Sequence, residues 1–204
     1  MTDAAVVGAA ARVISRLGPT QFTLADVAGE AGLAPATLIQ RFGSKRGLML
    51  ALARMAAEEA DGCFTKARAR HRSPLKALLA SVLEIAQMAE TPEILANHLA
   101  FLHLDLTDPE FRQWTLVHSR ATLAGYRALL DEAVSAGELH ACQTAALARA
   151  IAAVSHGSLV SWAFFQQGRA EDWLRQDIEI VLAPYRAPTK RKDSAKRRPP
   201  RAAV

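Results

Sequence analysis

Five side chains suited to meet a nucleic acid stand within one short stretch near the amino end, TLADVAGEAGLAPATLIQRFGSK, residues 23–45. Thr37 and Gln40 carry a hydroxyl and an amide that can hydrogen-bond to base edges or phosphate oxygens. Arg41 and Lys45 can neutralise phosphate charge. Thr23 opens the stretch and can bond through its hydroxyl. Around them stand Pro35, Ala36 and Ile39, small or apolar groups that permit close approach to a duplex and contact with a thymine methyl. The chemistry expected is recognition of double-stranded DNA, with no covalent step.

Such side chains act together only if one short helix presents them. Thr23 is suited to cap a helix running to Ala31, with Leu24, Val27, Ala28 and Ala31 on one face. Gly32 supplies a turn with positive φ. Pro35 suits the first turn of a second helix ending near Phe42, because its missing N–H costs nothing there. The two helices must cross steeply, so small Ala28 belongs at the crossing, with Val27, Leu33 and Leu38 as inner anchors. These are the demands of a helix-turn-helix whose second helix enters the major groove. The outer face of that helix is Pro35, Ala36, Thr37, Ile39, Gln40 and Arg41.

The segment resembles the DNA-binding head of TetR-family regulators. The resemblance rests on Thr23, the Ala28-to-Gly32 stretch, Thr37-Leu38, Phe42 and Lys45. Two positions depart from the family pattern. Ile39 stands where an aromatic is usual, and Ala34 stands where Ser or Thr often caps the recognition helix. Loss of that cap costs about 1 kcal/mol of helix-end stability.

Hydrophobic periodicity predicts about nine helices and no strand: 3–17, 23–31, 35–42, 44–70, 74–90, 91–103, 108–136, 143–167 and 170–185. The fold class expected is all-α. A three-helix head with the helix-turn-helix, residues 1–46, precedes a helical ligand-binding and dimerisation bundle, residues 47–186. Residues 187–204 read as a basic disordered tail, with seven Lys and Arg (190–192, 196–198 and 201) against Asp193 alone. The formal charge of +5 is therefore a property of the tail, and the rest of the chain is close to neutral.

The resemblance implies a homodimer built from the last two long helices and a small-molecule site in the second domain. Candidate interface residues are Ile151, Val154, Ser155, Leu159, Trp162, Ile178 and Val181. The helix at 143–167 is apolar over more than one face and needs covering on both sides. Candidate ligand residues are His98, Phe101, Leu102, Trp114, His118, Tyr126 and Trp162, where polar groups mix with aromatics. The partners expected are a palindromic DNA operator, a second copy of the chain and an unknown small-molecule effector.

Other classes find less support. The motifs of serine hydrolases, phosphate loops and zinc proteases are missing from the sequence. Cys63 and Cys142 are far apart and without metal-ligand spacing, so no disulfide, metal or cofactor is expected and a reducing cytoplasm is the natural setting. The apolar start lacks a basic n-region, which argues against a signal peptide or membrane span. The function expected is a repressor released from its operator by a ligand. Alternatives are a helical interaction protein that does not bind DNA and, with less support, an enzyme using a bundle cavity.

Overall fold

A computed structural model describes residues 1–187; the basic segment from residue 188 onward lies outside the described residues. The elements are α1 (Asp3–Gln21), α2 (Leu24–Ala31), α3 (Pro35–Phe42), α4 (Lys45–Glu58), α5 (Ala60–Arg70), α6 (Pro74–Leu83), α7 (Pro92–Leu99), α8 (Phe101–Thr107), α9 (Pro109–Ser135), α10 (Thr144–Phe165) and α11 (Ala170–Leu182). Short 3-10 segments follow α6 and α11. Among the described residues the only extended pairing is an isolated bridge between Leu139 and Arg186.

The all-α class holds. Two helices expected to be continuous are each divided, which raises nine to eleven among the described residues. The first break is at Glu59, whose ψ flattens to −3° between α4 and α5. The second is at Ala100, between α7 and α8. Neither carries Gly or Pro, so no local signal announces it.

Local chemistry explains most ends. Thr2, rather than a residue inside the helix, caps α1 by accepting from the Ala5 N–H. Gly18 breaks α1 with φ +77° and ψ 160°, and Pro19 begins one last turn. Ser44, Ser73 and Thr91 cap α4, α6 and α7 through their hydroxyls.

Buried side chains form two clusters. One joins α1, α2, α3 and α4 through Val6, Val7, Ile14, Phe22, Val27, Leu38 and Leu48, and it includes Phe111 from α9. The other fills the body between α5, α6, α9, α10 and α11, around Leu78, Leu130, Ile151, Leu174 and Ile178. Each such apolar side chain contributes about 1.5–3 kcal/mol by leaving water. The head boundary expected after residue 46 cuts through the first cluster, because Leu48 and Met49 belong to it.

Candidate nucleic-acid interface

The helix-turn-helix is assembled from local rules. Thr23 and Asp26 form a reciprocal capping box at the start of α2. The Asp26 N–H donates to Thr23 Oγ1 at 3.2 Å, and the Thr23 N–H donates to Asp26 Oδ2 at 2.7 Å. Thr23's hydrogen bonds hold the Asp26 carboxyl below its ordinary pKa. Gly32 sits at φ +65° and ψ +35°, and its N–H closes α2. The Leu33 N–H reaches back to the Ala28 carbonyl at 2.9 Å. Arg12 and Arg16 on α1 both donate to Glu30, at 2.8 and 2.9 Å, and fasten α2 to α1. The two guanidiniums, Arg12 first, keep the Glu30 carboxyl below its usual range.

One residue anchors α3. Leu38 is 0% exposed beneath the helix. On the opposite side Pro35, Ala36 and Gln40 are exposed, Ile39 is 53% exposed and Thr37 is half-buried. The amino end of α3 has no side-chain cap at Ala34, as the sequence implied. Thr23 is exposed at the start of α2, with its hydroxyl donating to Asp26 at 2.7 Å.

The two cations both have partners within the head. Arg41 is exposed, but its Nε donates to Asp3 Oδ1 at 2.7 Å and its Nη2 to the Met1 carbonyl at 3.1 Å. Lys45 is half-buried. Its Nζ donates to the Thr20 carbonyl at 2.8 Å and lies 4.3 Å from the centre of the Phe22 ring. Lys45, expected to neutralise phosphate charge, here closes the end of α1 with its ammonium and rests on an aromatic face. Sequence spacing could not show these partners, which lie 25 and 38 residues away.

The candidate ligand residues do not converge on one cavity. Tyr126 is buried in the body core, edge-on to Phe64 at 5.4 Å, and burial pushes its phenol up to about 12. Trp162 is buried and donates to the Gly168 carbonyl at 3.2 Å. Phe101 packs against the head core, and Leu102 is exposed. His98 lies 3.3 Å from Ser15 Oγ, and burial lowers its pKa. His118 is open to solvent at its edge, yet surrounding protein lowers its pKa, helped by nearby His156. Near it, Asp105 accepts from Thr115 at 2.7 Å, and its pKa is raised by burial.

Two open clefts stand out among the described residues. One of about 570 Å³ lies between the end of α6 and the start of α11, lined by Leu83, Glu84, Glu90, Trp162 and Arg169. The other, about 490 Å³, lies between head and body, lined by Val7, Phe42, Leu50, Arg54, Met55 and Trp114. Trp162 and Trp114 thus border different clefts.

The candidate interface residues lie mostly inside the single chain. Ile151, Ser155, Leu159, Trp162 and Ile178 are all buried in the chain's own core, and Val154 and Val181 are half-buried. These residues lie on the faces of α10 and α11 that are turned to the chain's own core. The outward faces carry Phe164 at 80% and Ile180 at 62% exposure, with Ala153, Gly157 and half-buried Val160 in line. Phe165 is stacked on Trp173 at 5.6 Å.

The sequence profile described as bacterial regulatory proteins, tetR family, matches residues 6–52. The chain is 33% identical over 132 residues to the HTH-type transcriptional regulator BetI of Rhizobium meliloti, a match covering 61% of this chain and 64% of that protein. The match to BetI of Agrobacterium fabrum is 32% over 128 residues, again 62% of the relative's length. The chain therefore spans less than two thirds of these relatives. Among solved structures, a TetR transcription regulator from Haloarcula marismortui shares the fold with a TM-score of 0.74 at 14% identity, covering 90% of this chain and 97% of that one. The regulator FadR of Bacillus subtilis, solved with stearoyl-CoA, gives a TM-score of 0.69 at 16% identity, covering 89% and 98%. The capped α2, the Gly32 turn and the outward face of α3 all fall inside the segment, residues 6–52, that matches the tetR-family profile, so the head of this chain is similar to the amino-terminal segment of those bacterial regulatory proteins.

Proposed function

We propose that this chain is a homodimeric, cytoplasmic repressor that grips a palindromic DNA operator and is released by a small molecule. The observation that carries the reading is α3: Leu38 fixes it from below while Pro35, Ala36, Thr37, Ile39 and Gln40 face outward. Thr37 and Gln40 read base edges, Ile39 contacts a thymine methyl, and the uncapped amino end of α3 offers backbone N–H groups to a phosphate. Arg41 engages phosphate by exchanging Asp3 for it. Among the described residues no helix is long and apolar enough to cross a membrane.

The second copy docks on the outward faces of α10 and α11, through Ala153, Gly157, Val160, Phe164 and Ile180. A two-fold pair matches two half-sites about one DNA turn apart. The solved FadR carries stearoyl-CoA, and by analogy an effector enters the body of this chain. It favours a dimer whose heads no longer fit the operator spacing, a coupling of about 1–3 kcal/mol.

Footprinting on the DNA flanking its own gene, with and without candidate metabolites, tests the proposal. Protection of a palindrome that one metabolite abolishes is the expected result. Absence of any protected palindrome there or in a selection from random duplex DNA overturns it.

A further inference from the structure

The head is tied to the body at two places besides the chain passing from α4 into α5. At the first, Arg46 of α4 pairs with Asp108 at 2.7 Å and Glu110 at 2.6 Å, and Phe111 enters the head core. At the second, α7 meets the end of α1. Asn97 Nδ2 donates to the Ser15 carbonyl at 2.8 Å and to the Arg16 carbonyl at 3.1 Å.

This second tie follows from the break in α1. A helical carbonyl bonds the N–H four residues on, and for Ser15 that residue is Pro19, which has none. Asn97 supplies the missing donor from another helix. Gly18 makes room for it: a Cβ there would fall 2.6 Å from Asn97 Oδ1, at a φ of +77° that disfavours any side chain. His98, the next residue, approaches Ser15 Oγ at 3.3 Å. Gly18, Pro19 and Asn97 thus form a complementary set: a carbonyl stripped of its partner, a gap, and an amide that fits both.

Resting on the proposed operator-binding reading, we infer that Asn97 is a positioning residue that sets the tilt of the head on the body and thereby the half-site spacing the dimer accepts. Two separated anchors fix the orientation of a rigid unit. Without the Asn97 amide the α7 side is held only by His98's approach to Ser15 and by apolar packing, and the head tilts more freely about the Arg46 and Phe111 anchor.

The test uses the full chain. Its preferred site is first recovered by selection from random duplex DNA, and affinity is then measured on versions with one base pair added or removed between half-sites. The parent should lose at least about tenfold on either change. Asn97→Ala and Asn97→Asp should each lose less than about threefold, with a modestly weaker optimum. Asn97→Asp keeps the volume but presents oxygen to two carbonyls, so a residue that merely fills space would leave it like the parent. Circular dichroism melts identify any variant that fails to fold, and amide exchange in residues 17–22 of a folded variant should quicken. Asn97 variants as strict about spacing as the parent, or a parent indifferent to spacing, overturn this inference and leave the regulator reading intact. Recovery of no palindrome overturns both.

Discussion

Gln40 and Lys45 stand five positions apart, yet the structure gives them opposite tasks. Gln40 is exposed on the outward side of α3 and holds up nothing. Lys45 braces the head through Thr20 and Phe22. Gln40→Ala should change which bases are preferred and leave the melting temperature within about 1 °C, since surface substitutions cost little. Lys45→Ala should lower head stability by about 1–2 kcal/mol, through a lost carbonyl bond and ring contact. Selection from random duplexes checks the first, and a melt followed by circular dichroism the second. Acid should act on the same region. Asp26, Glu30 and Asp108 all have pKa values depressed below 3.8, 4.5 and 3.8, by Thr23, by Arg12 and Arg16, and by Arg46 respectively. Their contribution is therefore fully present above those ordinary values and is lost as pH falls through the lower folded ones. Melting temperature should fall modestly on acidification below about pH 4, because these carboxylates are exposed, and Asp26→Asn should blunt the drop.

At the scale of elements, whatever is encoded within a few residues was legible. The bounds of α3, the Thr23 cap, the Gly32 turn and the Pro109 start of α9 all follow from nearest neighbours. Breaks without a local marker were not, as at Glu59 and Ala100. Nor could periodicity separate the face of α10 that meets its own core from the face left open, since both are apolar. The partners of Arg41 and Lys45 were hidden for the same reason as Phe111: tertiary contact joins residues with no sequence relation. Close packing between elements gives a sharper prediction. α9 crosses α5 where Gly125 faces Phe64, and a Cβ on Gly125 would come within 2.4–2.6 Å of the ring. Gly125→Ala should cost about 1–3 kcal/mol despite improving helix propensity. Combining it with Phe64→Leu should recover part of the loss, as a double-mutant cycle in urea would measure.

For the whole molecule, the decisive quantity is the apolar surface left open on α10 and α11. Phe164, Phe165 and Ile180 are the large side chains there, each more than half exposed, and Phe165 is already stacked on Trp173. Substituting Phe164 or Ile180 with Glu places a charge at the centre of the proposed two-fold contact. Phe164→Glu and Ile180→Glu should sediment as monomers and lose about tenfold or more in operator affinity, with helix content unchanged. Sedimentation velocity and gel-shift titration together check this, and a dimer that survives both changes moves the interface elsewhere.

Phe111 bears on any attempt to treat the head as an interchangeable part. It belongs to α9, far along the chain, yet it is almost fully enclosed by residues of α1 to α4. A graft that transplants only the first 58 residues onto another protein of this fold would carry a hole shaped for this ring and meet whatever the recipient offers in its stead. Successful chimaeras must move residues 101–111 together with the amino-terminal block, so the portable unit of this protein is discontinuous.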